Sequence, residues 1–156
     1  GGLAGEPCKQ ASDLGGPRVG VGLSYMKGYF DQRLRGDGWQ EDSDDHVDPV
    51  LTPLVELSGP HNESWLTMVH TFGRPVFLRV WNLRAGRVPL YLLDTDLEEN
   101  HPADRTLLNK LYGGGPDLRL RQEWLLGVGG VRVLQAAALD PGVWHSNECH
   151  AASLTL

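Results

Sequence analysis

The alternation of apolar and polar positions along the chain predicts several short strands. Residues 19–23 form an apolar segment interrupted by glycines, which is typical of a buried strand that another backbone approaches closely. Residues 65–70 and 76–81 alternate apolar with polar or basic side chains, as half-buried strands do. Residues 88–93 are a continuous apolar run, which indicates a strand that is covered on both faces.

Helices are predicted over residues 101–112 and from Pro116 onward. Proline is favoured at the first position of a helix, because its missing N–H group has no partner there in any case. The second helix contains three glycines between residues 127 and 130, and each one weakens a helix by up to about 1 kcal/mol. We therefore expect another backbone to pack closely against this helix.

The order of these elements predicts the fold class. From residue 88 to residue 145 the pattern indicates a strand, two helices and a short strand at 143–145. This order is typical of an α/β fold, an open and largely parallel sheet with helices on its faces. A further helix is predicted over residues 4–14, ended by Gly15-Gly16, and a solvated acidic loop over residues 37–48.

Composition and charge exclude several classes of partner. The chain has 156 residues, of which 40% are hydrophobic and 22% charged, as in one globular domain. The net charge of -6 argues against binding to nucleic acid or to an anionic membrane, because both need a basic surface. No apolar run is as long as a membrane span. Two distant cysteines, Cys8 and Cys149, favour reduced thiols and a cytoplasmic location.

Three polar clusters lie where open α/β sheets bind ligands, at predicted strand ends or at a helix start. The cluster from Asp94 to Asn100 can hold a cation or hydroxyl groups, or form a solvated loop. The glycines at 113–115 precede a helix whose N–H groups favour anions, or they simply connect two helices. In the cluster at 145–150, Asn147 and Glu148 can bind sugar hydroxyls or cap the next helix.

Two other groups of polar residues favour structural roles. Arg119, Gln122 and Glu123 are spaced for one helix face, where they are expected to form a polar network. The histidines and the cysteine between residues 145 and 150 do not have the spacing of a zinc site, so no metal site is predicted. Composition and spacing by themselves indicate an α/β domain that binds a small polar ligand.

A series of short motifs resembles the N-terminal domain of the shorter bacterial α-glucan phosphorylases. The motifs follow one another in a single order and span nearly the whole chain. They are ASDLG at 11–15, VGVGL at 19–23, GYF at 28–30, GDGWQ at 36–40, GRVPLYLLDTD at 86–96, LYGG at 111–114, LRLRQE at 118–123, GVGGVR at 127–132, VWH at 143–145 and NECHAA at 147–152.

The resemblance implies a fold and a reaction. Residues 1–156 are then part of the Rossmann-like N-terminal domain of a GT-B glycosyltransferase, whose active site lies between two domains. The implied reaction is phosphorolysis of terminal α-1,4-glucosyl units of glycogen or maltodextrin by inorganic phosphate, which gives glucose 1-phosphate. Pyridoxal phosphate would be held by a C-terminal domain that this chain lacks. The absence of an initiator Met also indicates a piece of a longer protein, and we expect the isolated chain to be inactive.

The resemblance also implies which residues meet the substrate, although it gives no residue of this chain a catalytic role. Gly1 aligns with the last glycine of a turn that faces the phosphates and the glucosyl unit. Gly113 and Gly114 match the loop that gates the catalytic cleft. The segment that lines the path of the glucan corresponds to Asn147, Glu148 and His150.

Four positions depart from the family pattern. Pro7 and Cys8 stand where the family has a regular helix, Cys149 replaces a glycine, and Ser153 replaces an aromatic residue. If the replaced glycine has a positive φ, Cys149 is strained. Two alternatives follow, a GT-B glycosyltransferase that uses a nucleotide sugar and a non-catalytic remnant that only binds glucan.

Overall fold

A computed structural model describes residues 10, 13–25, 31–34, 40–43, 54–58, 64–109, 114–146 and 153. These residues form seven strands and two helices. The strands are β1 (Gly20–Leu23), β2 (Asp31–Leu34), β3 (Gln40–Ser43), β4 (Val55–Glu56), β5 (Leu66–Thr71), β6 (Arg74–Ala85) and β7 (Val88–Asp94). The helices are α1 (Pro102–Arg105) and α2 (Pro116–Ala136).

Five strands form one sheet in the order β1-β7-β6-β4, and β5 pairs with the first half of β6. β2 and β3 form a separate antiparallel pair. Among the described strands β1 and β7 are parallel, whereas β6 pairs antiparallel with β4, β5 and β7. The predicted α/β class is confirmed, but the prediction of a largely parallel sheet is wrong.

Two tight turns explain the antiparallel pairing. Phe72-Gly73 joins β5 to β6, and Gly86-Arg87 joins β6 to β7. Strands that are joined by two residues can pair only antiparallel, because a parallel pair needs a long crossover. The φ angles of 50° at Phe72, 86° at Gly73 and 63° at Gly86 are those that such hairpin turns require.

Helix α2 covers one face of the sheet and forms the core with it. Val69, Leu78 and Leu93 of the strands are fully buried against this helix, as is Leu125 of α2. A Cβ at Gly129 would lie 2.8 Å from Leu78 Cδ1 and 3.2 Å from Leu93 Cδ1. The helix glycines are thus closely packed, but the prediction that another backbone lies against them is wrong, because the neighbours at Gly129 are strand side chains.

Side chains of α2 also bind the edge of the sheet. Trp124 Nε1 donates a hydrogen bond of 3.0 Å to the carbonyl oxygen of His70, and Arg132 donates one to the carbonyl oxygen of Met68. Both acceptors lie on β5, beside β6. These bonds satisfy backbone groups at a strand edge, which would otherwise be open to pairing with another chain.

Three predicted elements differ from the structure. Residues 143–145 are not a strand, and Val143 is 86% exposed, since no described strand pairs with this segment. The helix predicted over 101–112 is shorter, because α1 ends with Thr106 as its C-cap. The predicted acidic loop at 37–48 contains β3, which is held by its pairing with β2.

Some predictions lie partly or wholly outside the described residues. The predicted helix at 4–14 is mostly outside them, although Gly15 has the φ of 68° expected of a glycine that ends a helix.

Strand β7 was expected to be covered on both faces, but Leu90 and Leu92, which point away from α2, are only half-buried. Within the described segments, neither helix is both long and apolar enough to cross a membrane.

Candidate functional site

Most of the residues that the resemblance assigns to substrate binding lie outside the described part of the chain. This holds for Gly1, Gly113, Asn147, Glu148 and His150. The structure therefore does not test whether the glycine loop and the segment 147–150 line one crevice, and this stays a prediction. The structure does describe Gly114, the start of α2 that follows it, and Ser153.

Gly114 occupies a backbone conformation that requires glycine. Its φ is 89°, and a Cβ at this position would lie 2.6 Å from Leu118 Cδ2. Gly115 then serves as the N-cap of α2 without a side-chain hydrogen bond, and Pro116 begins the helix as predicted. The loop is thus shaped to bring the chain sharply into the first turn of α2.

Ser153 connects the C-terminal segment to α2. Its Oγ donates a hydrogen bond of 2.8 Å to the backbone oxygen of Glu123. Glu123 lies about 10 Å along the helix from Pro116. Gly114 therefore lies just before the first turn of α2, and Ser153 is bonded to its second turn.

Asp94, at the end of β7, is a buried carboxylate with structural partners. Its Oδ2 accepts hydrogen bonds from Trp81 Nε1 at 3.1 Å and from Arg79 Nη2 at 3.3 Å. Its Oδ1 accepts one from the backbone N–H of Asp96 at 3.0 Å. The guanidinium of Arg79 already balances its charge, so the suggestion of a cation site is not supported here. In the described residues no group of His, Cys, Asp and Glu could hold a metal ion.

Asn100 ties the loop after β7 to the sheet. Its side-chain amide donates hydrogen bonds to the carbonyl oxygens of Phe77 and Thr95, both at 2.8 Å. Its Oδ1 accepts a third from the backbone N–H of Phe77 at 2.8 Å. The prediction of a solvated loop is thus correct only for the exposed residues at 96, 98 and 99, since the other polar side chains from 94 to 100 are buried.

Sequence reasoning missed an ion-pair cluster where the β5–β6 hairpin meets both helices. Asp104 is 1% exposed, and it accepts two hydrogen bonds from Arg74, from Nε at 2.5 Å and from Nη2 at 2.8 Å. Arg121 Nη1 lies 3.6 Å from Asp104 Oδ1, and its guanidinium stacks on the ring of Phe72 at 4.5 Å. The sequence contains only two signals of this cluster. One is Phe72-Gly73 between two predicted strands, and the other is an acidic residue at the start of a predicted helix.

Electrostatics in this cluster favour the ionised carboxylate. The hydrogen bonds from Arg74 hold the pKa of Asp104 below its ordinary value, burial opposes this, and the charges of Arg74, Arg121 and His101 add to the lowering. The same hydrogen bonds raise the pKa of Arg74. Asp104 is therefore an ion-pair partner and not a proton donor at neutral pH.

The polar network predicted on α2 is confirmed in part. Arg119 Nε donates a hydrogen bond of 2.9 Å to Glu123 Oε1, one helical turn away. Gln122 instead points into the protein, where its amide donates to the carbonyl oxygen of Leu107 at 2.7 Å. Gln122 therefore ties α2 to the segment before it, whereas the pair of Arg119 and Glu123 lies within the helix.

Comparison with known proteins identifies relatives over nearly the whole chain. Glycogen phosphorylase of Aquifex aeolicus is 42% identical over 146 residues, which cover 94% of this chain and 21% of the relative. Maltodextrin phosphorylase of Thermococcus litoralis is 43% identical over 96% of this chain. Glycogen phosphorylase of Mycobacterium tuberculosis is 43% identical over 97% of this chain. The chain is homologous to the α-glucan phosphorylases. The resemblance predicted from the motifs is thereby confirmed.

The chain spans only about a fifth of the length of these phosphorylases. No family model matches it, and no solved structure matches it significantly. The positions that depart from the phosphorylase motifs include Ser153, whose hydroxyl donates the hydrogen bond to the backbone oxygen of Glu123.

Proposed function

We propose that this chain is the part of an α-1,4-glucan phosphorylase that forms the glucan-binding wall of the active-site cleft. The proposal rests on 42–43% identity over nearly the whole chain to proteins named glycogen phosphorylase or maltodextrin phosphorylase. The whole enzyme takes a terminal α-1,4-glucosyl unit and inorganic phosphate, and releases glucose 1-phosphate. It works in the cytoplasm on glycogen or maltodextrin.

The proposed architecture is the N-terminal Rossmann-like domain of a GT-B enzyme, of which residues 1–156 are a part. Its support is the parallel pair of β1 and β7, with α2 packed across both strands. In open α/β sheets, polar residues follow the carboxyl ends of the parallel strands, and ligands bind at these ends. The substrate cleft lies at this end of the sheet.

Two loops line the proposed cleft. Gly113 and Gly114 gate it, and the positive φ of Gly114 supports a loop of special backbone shape at this point. Asn147, Glu148 and His150 bind glucan hydroxyls, and the hydrogen bond from Ser153 to Glu123 supports their attachment beside α2. Gly1 lies near the phosphates of substrate and cofactor.

The cofactor of the proposed enzyme is pyridoxal phosphate, which supplies a phosphate group that assists proton transfer. An enzyme holds this cofactor through a lysine Schiff base. The resemblance assigns that lysine to the C-terminal domain, so the three lysines of this chain, at positions 9, 27 and 110, are not candidates for it.

The test uses the natural protein at the full length that its gene encodes, with the 156-residue chain as control. Each is incubated with maltodextrin and inorganic phosphate, with and without added pyridoxal phosphate, and glucose 1-phosphate is measured. We expect the full-length protein to release it and the 156-residue chain to release none.

Two results would contradict the proposal. Glucosyl transfer from a nucleotide sugar, with no phosphorolysis, would show a different GT-B glycosyltransferase. Binding of maltoheptaose in calorimetry without any turnover by the full-length protein would show a non-catalytic glucan-binding protein.

A further inference from the structure

Gln122 is a buried polar residue of α2 to which the proposed function gives no role. It is 6% exposed, and its Nε2 donates a hydrogen bond of 2.7 Å to the carbonyl oxygen of Leu107. Leu107 is itself 4% exposed and belongs to the core. Because a buried carbonyl that loses its donor is costly, this bond holds the backbone at Leu107 against α2.

Leu118, one helical turn before Gln122, contacts the chain at Gly114. A Cβ added to Gly114 would lie 2.6 Å from Leu118 Cδ2, so the backbone of this glycine packs directly against the leucine side chain. Leu118 packs in turn against the core. Residues four apart lie on the same face of a helix. One face at the start of α2 therefore contacts the chain both at Leu107 and at Gly114.

The hydrogen bond from Gln122 differs from the backbone bonds around Leu107. The N–H of Leu107 donates to Asp104 and the N–H of Asn109 donates to Thr106, both at 3.1 Å, so these bonds stay within the turns that follow α1. The amide of Gln122 reaches across from α2 instead. A hydrogen bond has a preferred direction and length, which an apolar contact lacks, so it fixes the position of Leu107 more narrowly.

We propose that Gln122 is a positioning residue, which sets the place of Gly114 and of the chain before it relative to α2 and thereby the affinity for glucan. This inference rests on the proposed function, in which Gly114 lines the cleft that receives the glucan. Because Gln122 is buried, it acts through the backbone of Leu107 and not on the substrate itself. A displacement of about 1 Å far from the chemistry can cost up to about 100-fold in rate, so the loss of such a bond is measurable.

The experiment measures kcat and KM for maltodextrin at saturating phosphate, in the natural protein at the full length that its gene encodes. The test variant is Gln122→Met, because methionine has a similar length and volume but donates no hydrogen bond. The matched control is Trp124→Phe, which removes a hydrogen bond of 3.0 Å from the same helix to the carbonyl oxygen of His70 on β5. Thermal unfolding shows whether each variant is folded at the assay temperature.

We expect Gln122→Met to raise the KM for maltodextrin at least about 5-fold and Trp124→Phe to leave it unchanged. A purely structural role would lower the amount of folded enzyme, and so the apparent kcat, without moving KM. If Gln122→Met does not fold, Gln122→Asn replaces it, because its amide is carried on a shorter side chain.

Two failures are distinguishable. If the wild-type protein is active and the KM of the Gln122 variant equals that of the wild type or of the control, this inference alone is overturned. If the wild-type protein releases no glucose 1-phosphate, the proposed function is overturned and this inference with it.

Discussion

Asp94 and Asp104 are buried carboxylates that the sequence does not distinguish from exposed ones. Asp94 belongs to the acidic cluster that suggested a cation or hydroxyl site, but its partners Arg79 and Trp81 come from the neighbouring strand. Asp104 is paired with Arg74, which is 30 residues away in sequence. The role of each carboxylate depends on strand register and helix placement, which local sequence pattern does not give.

Replacement of Asp104 by Asn should destabilise the protein by about 2 kcal/mol, because the buried side chain loses its negative charge and one of the two oxygens that accept from Arg74. The matched control is Asp96→Asn, whose ion pair with Arg105 is half-exposed and should contribute less than about 0.5 kcal/mol. The free energy of unfolding is measured in urea at neutral pH. Equal effects of the two substitutions would contradict the role assigned to Asp104.

The stability contribution of Asp104 should also depend on pH. Its pKa in the folded protein lies below the unfolded value of about 3.9, so the folded state binds fewer protons. The contribution is therefore complete well above that unfolded value and is lost as the pH falls through the folded pKa. Urea unfolding at a series of acidic pH values should show a smaller loss of stability for Asp104→Asn than for the wild-type protein. Parallel pH profiles would contradict this.

At the scale of elements, the strands and the helix with long apolar patterns were predicted correctly, but the direction in which the strands pair was not. Strands β5 and β6 were predicted from their alternation, β7 from its continuous apolar run and α2 from its start at Pro116, and the glycines of α2 indicated close packing. The pairing direction was wrong because the two-residue hairpin at Phe72-Gly73 was not recognised. The segment 143–145 has the composition of a strand but no described partner, and strand geometry needs one.

The start of α2 offers a test of the glycine loop. Gly114→Ala should destabilise the protein by about 1–2 kcal/mol, because alanine is strained at φ 89° and its Cβ would overlap Leu118. Gly115→Ala is the matched control, since its φ is -83° and no atom lies within 4 Å of an added Cβ. Its effect should stay below about 0.5 kcal/mol, because the poorer capping by alanine is offset by the lower conformational entropy of the unfolded chain. Thermal unfolding compares the two, and a larger effect at Gly115 would contradict the assigned backbone conformations.

At the scale of the whole molecule, the family was predicted from motif order, and the comparisons confirm it. The α/β class was also predicted, whereas the ion-pair cluster around Asp104 was not, because it depends on a hairpin and two helices that meet only in the folded chain. Of the predicted site, the structure describes Gly114 and the attachment of Ser153 to α2. These two observations are compatible with one glucan-binding wall beside the first turns of α2.

The most direct test of that wall is the kinetics of the full-length protein with Glu148→Gln, compared with Glu99→Gln. Glu99 is exposed on the loop after β7 and has no assigned role in binding. We predict that Glu148→Gln lowers kcat/KM for maltodextrin about 30-fold, through loss of charged hydrogen bonds to glucan hydroxyls, and that Glu99→Gln leaves it unchanged. Equal kcat/KM values for the two variants would contradict the assignment of this chain to the glucan-binding wall.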